Sequence, residues 1–485
     1  MEPETSSLRR ELSFLESIAL SIGIMAPTAA MALNGSLAAG ITGSTVPLAF
    51  LLATLAVGLA SFAFIQFSRY LAHSGSVYAF NGIALGPRVG FFSGWALLGT
   101  YLAFTCASTA EVGNFAQAFF AGLGLNVGWL PLALLAGLLI WFFAYSRITI
   151  STRLTLAMEG ISVLLIVVLV AVILVRLGSL GQLSWRPFMP ASEPLNAVAL
   201  AAVFGFLSFA GFEGAATLGE ETRNPRRNIP LAILAAVFGT GLFYVVVTYA
   251  QTLGFGLSQT GIASFAHSVA PLDDLARHYV GRLMAVLLDF GATISAFASA
   301  LGTANAGARI LFAMGRDGFI TERLGTTSRR TGSPALAVAV IMLLDFVVVS
   351  IWGLVPGISG ATLFGYLGTI GVFLILVAYI LTNVGAIWFF FLRRRLWSWQ
   401  WLIPLLAIVF LGYTLYSNIY PVPAPPYNIF PYVALTWLLL GLVCIIASPS
   451  LAQRIGLHLE ESEGLYAETA EVGADVQKTA LRESD

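Results

Sequence analysis

Polar residues along this chain serve mostly as punctuation between apolar runs of about twenty residues, the length that carries an α-helix across a hydrocarbon core. Such runs lie near 14–37, 44–67, 89–120, 128–147, 153–176, 195–219, 229–252, 281–314, 335–354, 360–389, 401–420 and 427–448, which makes twelve. The shorter alternating segments of a membrane barrel are not the pattern here. The chain is therefore predicted to be an all-α polytopic membrane protein of twelve transmembrane helices. The third, eighth and tenth runs exceed one membrane thickness, so those helices must tilt or project.

Two of the runs are interrupted. The first, SIALSIGIMAPTAAMALNGSLAAG, sets Gly23, Pro27 and Thr28 in mid-span. Pro27 removes a backbone donor and crowds the preceding turn. The sixth sits within Val203–Pro230, VFGFLSFAGFEGAATLGEETRNPRRNIP, where Gly205, Ser208, Gly211 and Glu213 fall at membrane depth. A carboxylate there is costly and avoids lipid. Irregular backbone there needs protein or a watery cavity around it. Breaks at corresponding positions of two halves point to a transporter site between inverted repeats. The expected organisation is a cytoplasmic N-terminus (1–13), a first repeat of five spans (14–177), a second (195–389), two further spans (401–448) and an acidic cytoplasmic tail expected to be disordered (449–485).

Composition agrees with the pattern: of 485 residues, 58% are apolar and 10% charged, against about a quarter charged in soluble domains. Net charge is zero, and its distribution is what informs. Counting loops on alternate sides, one face gathers Arg9, Arg10, Arg69, Arg88, Arg147, Arg153, Arg223, Arg226, Arg227, Arg309, Arg316, Arg323, Arg329, Arg330 and Arg393–Arg395. The other has Arg176, Arg186, Arg277 and Arg282. The positive-inside rule then places both termini in the cytoplasm. No signal-peptide cleavage site is evident. Cys106 and Cys444 lie in apolar runs and read as buried thiols, and the scattered His73, His267, His278 and His458 predict no metal cluster. The only lysine, Lys478, is in the tail, so no lysine can serve as an intramembrane cation. The outer segment 256–281 is either a short helix over the mouth or a solvated loop.

A broken helix exposes N–H groups at the start of one half and carbonyls at the end of the other. In span one the inner half is expected to end near Met25 and the outer half to begin near Thr28–Ala30, aiming N–H groups at the gap. In span six the outer half should end near Leu207–Ser208, presenting carbonyls. Together these suit a small zwitterion, with its carboxylate on span one and its ammonium on span six. The candidate substrate contacts are Gly23, Met25, Ala26, Pro27, Thr28, Ala29, Phe206, Leu207, Ser208, Phe209 and Gly211, with Phe206, Phe209 and Phe212 as walls or simple packing. Glu213 is expected to cap the second half of span six, as a carboxylate at a helix start does, and to act as a gating or coupling acid. Glu111, Glu159, Asp289 and Asp345 are the other intramembrane acids, with Glu111 and Glu159 ranked first.

The stretch FGFLSFAGFEGAATLGEETRNPRRNIPLAI, with ASALGTANAGARILFAMGRDG of span eight, resembles the amino acid permeases of the amino acid–polyamine–organocation superfamily, over roughly residues 14–448. The resemblance implies the leucine-transporter fold of two five-helix inverted repeats with broken first and sixth helices. It also implies secondary active transport, usually proton-coupled. The family's unwound span-one segment falls on Gly23–Ala30, and its span-six segment on Phe206–Glu213. MAPTAAM replaces the more usual glycine–serine–glycine break. The span-five lysine of many proton-coupled members falls near Ser162 and is absent. Either Glu159 carries the proton, or sodium sits near span one, Ser162, Ser295 and Ser299.

The leading expectation is thus an amino acid transporter of the cytoplasmic membrane. The alternatives are a polyamine or organic-cation transporter, with Glu111 as the acid to test, an exchanger, or a non-transporting amino acid sensor. No HExxH or GxSxG element suggests an enzyme. No cofactor beyond a coupling ion, H+ or Na+, is expected. The expected partners are a small-molecule substrate and the lipid bilayer; no nucleic acid is expected, and no oligomeric state is specified.

Overall fold

The structure, a computed structural model, describes residues 14–70, 76–145, 149–190, 195–218, 222–328, 333–393 and 399–457. The N-terminus, Glu220–Glu221 and the tail from 458 onward lie outside the described residues. Every regular element among the described residues is helical.

The chain opens with α1 (Phe14–Met25) and α2 (Pro27–Thr42), collinear in sequence and separated by Ala26 alone. Ala26 adopts φ 46°, ψ 63°, a left-handed conformation that a residue with a Cβ seldom takes. The cause is local. The ring of Pro27 disfavours right-handed helix for the residue before it, and the same proline, with its fixed φ, suits the first position of a new helix.

After α3 (Val46–Tyr70) comes a helix with no counterpart among the apolar runs, α4 (Ser76–Leu85), and then the long α5 (Pro87–Gly122). Next come α6 (Trp129–Tyr145), α7 (Thr149–Ser179), α8 (Leu195–Phe209) and, beyond a second break, a 3-10 segment Phe212–Leu218. Then follow α9 (Pro225–Phe255), two short helices α10 (Gln259–His267) and α11 (Pro271–Tyr279), and α12 (Arg282–Arg316). The segment 256–281 is thus helical, in two pieces. The chain ends with α13 (Ala335–Gly353), α14 (Gly360–Ala386) extended by a π-helical stretch to Arg393, α15 (Leu402–Ser417) and α16 (Phe430–Ala447).

Among the described residues ten helical segments are long and apolar enough to cross a membrane, and α6 is a shorter apolar helix. The first, Ser21–Tyr70, is 50 residues long and takes in most of α1, α2 and α3. The protein is therefore a multi-pass membrane protein. Burial separates core helices from peripheral ones: 78% of the most apolar stretch of α5 lies inside the protein, against 22% for α16. The exposed side chains of α6 include Leu135, Leu138, Leu139 and Phe142, spaced i, i+3, i+4, i+7. An apolar stripe of that period, turned outward, is a lipid-facing surface. Around α5 pack α12 and α14, while α3 packs on α9, and both helix breaks lie inside this core.

The candidate substrate site

The first break leaves three carbonyls without helical partners. Those of Gly23, Ile24 and Met25 would ordinarily accept from the amides of residues 27, 28 and 29. Pro27 has no N–H. The Thr28 amide donates instead to Glu159 Oε1 of α7 at 2.8 Å, and the Ala29 amide donates to Ser295 Oγ of α12 at 3.1 Å. The helix continues only from Ala30, whose amide reaches the Ala26 carbonyl at 2.9 Å. Glu159 and Ser295 therefore cap α2 from outside it, as an anion at a helix start does.

This corrects the expected recognition mode of span one. The amides of Thr28 and Ala29 are held by protein groups, and the Gly23–Met25 carbonyls are what the break leaves without a helical partner. Ser162 stands apart from this cap: its hydroxyl donates to the Met158 carbonyl at 2.9 Å and lies against Gly291 of α12.

The second break is also not as expected. α8 runs past Leu207–Ser208 to Phe209, and the two carbonyls expected to be presented there are occupied. Leu207 accepts from the Ala210 amide at 3.2 Å, and Ser208 accepts from the Tyr244 hydroxyl of α9 at 2.8 Å. The Ser208 hydroxyl accepts from Asn34 Nδ2 at 2.7 Å and donates to the Phe204 carbonyl. Gly211 has φ 103°, and a Cβ there would collide with Ile24, so glycine is what lets this break approach α1.

Glu213 does more than cap. Its Oε1 accepts from the Tyr101 hydroxyl of α5 at 2.9 Å, and its Oε2 accepts from the Tyr379 hydroxyl of α14 at 2.8 Å and the Gly211 amide at 3.2 Å. The side chain is fully buried. Buried carboxylates persist when donors surround them in this way. No spacing rule points to the two tyrosines; the available signal was a phenol inside an otherwise apolar run.

Between the breaks lies a cavity of about 30 Å³. Ile24, Met25, Ala26, Ala29, Ala30 and Asn34 line it from the first break, and Leu207 and Ala210 from the second. α5 contributes Phe104, Ala107, Ser108 and Glu111, α12 contributes Ser299 and Thr303, and α14 contributes Phe364. Of the expected contacts, Met25, Ala26, Ala29 and Leu207 thus share one cavity, together with Glu111, one of the expected coupling acids. Gly23, Pro27, Thr28, Ser208 and Gly211 do not line it.

None of the three span-six phenylalanines lines the cavity. Leu207 on α8 and Ala210 just beyond its end face the cavity while Phe206 and Phe209 do not line it, and Phe209 packs edge-on against Tyr244 with centroids 5.1 Å apart. Phe212 packs between Phe64 and Tyr379. Phe104 and Phe364 are the aromatic walls instead.

Glu111 is the unusual wall residue. It is 2% exposed, and among the described residues no donor reaches its Oε1. A buried carboxylate oxygen without a partner is expensive, and the cavity is the place from which a partner can come.

A family model described as amino acid permease matches residues 12–443. Among curated relatives, the methylthioribose transporter of Bacillus subtilis (strain 168) is 29% identical over 340 residues, covering 66% of this chain and 70% of that protein. The branched-chain amino acid permease BcaP of the same organism is 26% identical, covering 68% and 72%. The low-affinity putrescine importer PlaP of Escherichia coli (strain K12) is 25% identical, covering 70% and 75%. With a match across nearly all of its length and two interrupted spans enclosing a cavity, this chain belongs to the amino acid permeases of the amino acid–polyamine–organocation superfamily.

Proposed function

We propose that this protein is a secondary active transporter carrying amino acids, or amines closely related to them, across the cytoplasmic membrane in symport with protons. The observation that carries this reading is the buried Glu111 Oε1, which no donor among the described residues reaches, in the wall of the cavity at the helix breaks. With the helix-free carbonyls of Ile24 and Met25 in the same wall, it makes an environment for an ammonium group. At about 30 Å³ the cavity holds little more than a water, so the walls, Phe104 and Phe364 among them, part when substrate enters.

A diamine or other organic cation is the second reading. It is favoured by the capping of α2: with the Thr28 and Ala29 amides on Glu159 and Ser295, a substrate carboxylate finds no ready holder there. The names of the relatives span both classes.

In this proposal α1 with α2 forms one interrupted span and α8 with Phe212–Leu218 another. Splitting Ser21–Tyr70 into two spans and adding α6 gives twelve. Residues 14–177 and 195–389 are the inverted repeats, 401–448 the added pair, and both termini are cytoplasmic. Glu159 and Glu213 are the groups proposed to move the coupling proton, because each bonds one of the two breaks to a different scaffold helix. Sodium near Ser162, Ser295 and Ser299 is the alternative ion.

The test is uptake into proteoliposomes of labelled branched-chain and cationic amino acids and putrescine, under imposed proton and sodium gradients. Proton-driven uptake of one class is the expected result. Saturable binding without uptake would replace the transporter with a sensor. Stimulation by internal substrate alone would make it an exchanger.

A further inference from the structure

A second cavity, of about 420 Å³, shares no residue with the one at the helix breaks. It lies at the end of the bundle where α12 stops. One wall is the last turn of α16, through Val443, Cys444 and Ala447. Past Ala447 the chain is helical again over 449–457, and Ser448, Ser450 and Arg454 continue that wall. The facing wall is the turn after α12, through Phe319 and Ile320. Because α16 is long and apolar enough to span a membrane and ends at Ala447, the cavity straddles the boundary between hydrocarbon and water.

The turn after α12 is shaped to present this wall. Phe319 is buried and packs on Phe91 and Trp95 of α5, with ring centroids 5.3 and 5.6 Å away. Ile320 is 76% exposed and has φ 59°, and across it the Thr321 amide donates to the Phe319 carbonyl at 2.7 Å. A three-residue turn with positive φ at a β-branched centre is strained, and strain of this kind gathers where a chain holds a ligand. At Gly318, φ 93°, a Cβ would collide with the Arg454 guanidinium, so glycine is what lets that charge lie against the turn. Gly456 approaches Pro87, which brings the start of α5 to the same end, and Arg88, Arg316 and Arg323 are exposed there. Asp317, the acid of the turn, is buried and accepts from the Tyr78 hydroxyl of α4.

We propose that this cavity binds an anionic glycerophospholipid, its phosphate on Arg454 and the Ser448 and Ser450 hydroxyls and one acyl chain along α16. A guanidinium forks onto phosphate oxygens, and basic side chains at the membrane boundary favour anionic headgroups. The exposed Leu439, Leu440, Val443 and Ile446 make α16 a lipid-facing helix, and Val443 carries that surface into the cavity. Ile320 covers the chain from the other side. A free anion leaves this apolar wall uncovered. The acidic segment after Leu457 brings carboxylates, but it has to displace lipid from α16 to reach the same wall.

Cys444 reports occupancy, because it lines the cavity while Cys106, the other cysteine of the chain, is buried. The full chain is placed in phosphatidylcholine nanodiscs with rising fractions of phosphatidylglycerol, and maleimide labelling of Cys444 is followed by mass spectrometry. Phosphatidylglycerol should slow the labelling saturably. Arg454→Gln should raise the fraction needed for half-protection roughly fivefold, the contribution of one basic side chain at an anionic surface, and Arg454→Lys should restore most of it. Ile320→Gly suits the turn but removes the side chain, so it should weaken protection without lowering the unfolding temperature. Labelling indifferent to phosphatidylglycerol, or a response that Arg454→Gln leaves intact, overturns the site. Equal protection by inorganic phosphate overturns the lipid in favour of a free anion. Labelling that ignores lipid but rises in a Glu460→Gln, Glu461→Gln, Glu463→Gln variant overturns it in favour of the acidic tail.

Discussion

The two interrupted helices solve the same problem with opposite chemistry. At the first break the chain reverses its handedness at Ala26, and the amides that follow are taken by Glu159 and Ser295, so carbonyls are what the break has left over. At the second, the Leu207 and Ser208 carbonyls are taken by Ala210 and Tyr244, and the acid that follows is held by two phenols and an amide. One break is fastened to α7 and α12, the other to α5, α9 and α14. The first therefore offers the cavity negative polarity, whereas the second is close to self-sufficient. In the function proposed above, the small substrate reads the first break, and the second break responds to how the scaffold helices are arranged.

The largest effect should come from breaking the self-sufficient side. Glu213→Ala strands two buried hydroxyls and the Gly211 amide, each worth about 1–3 kcal/mol when unpaired. Thermal unfolding in detergent should show a fall of several degrees, with uptake lost. Glu213→Gln keeps an acceptor and should recover most of the stability without the pH dependence of uptake. An alanine variant as stable as the parent would remove Glu213 from the argument.

That contrast was half legible in the sequence. Glycine, proline and acid grouped within one span pointed to both breaks, since proline removes a helical donor and a carboxylate at that depth needs protein around it. Which groups would be satisfied was not legible, because the partners come from far along the chain. Glu159 lies 131 residues from Thr28, and Tyr379 lies 166 residues from Glu213. Whether the span-six phenylalanines would be walls or simple packing was not legible for a similar reason. Helical spacing fixes which residues of α8 share a face, but neighbouring helices decide which face meets the cavity. α4 was missed because its SVYAFNGIAL is short and carries no marked amphipathic period.

The open side should respond in the reverse sense, with function lost and stability kept. Among the described residues no donor reaches Glu111 Oε1, so Glu111→Gln should leave the unfolding temperature unchanged or raise it. Loss of one charged hydrogen bond should weaken binding of an ammonium-bearing substrate by roughly 10- to 100-fold. Binding of labelled substrate by scintillation proximity, compared with the melting curve, checks both halves. A variant that binds normally but unfolds early would mean Glu111 is a structural acid, and the cavity would lose its anion.

The smallest effect sharpens the comparison most, because it asks whether the polarity of the first break is fixed or adjustable. Ser295→Ala removes the partner of the Ala29 amide and leaves the Thr28–Glu159 bond in place. The expected stability cost is about 0.5–1 kcal/mol, that of a weakened cap. The freed amide adjoins the cavity, since Ala29 is in its wall, and a substrate carboxylate can then accept from it. The variant should therefore favour amino acids over decarboxylated amines of the same side chain by a few-fold more than the parent does, as competition binding of lysine against cadaverine would show. If the ratio stays fixed while total affinity falls, the α2 amides serve only to hold α2 against α7 and α12. Carboxylate recognition would then have to come from Asn34, Ser108, Ser299 and Thr303, the neutral polar residues of the same cavity.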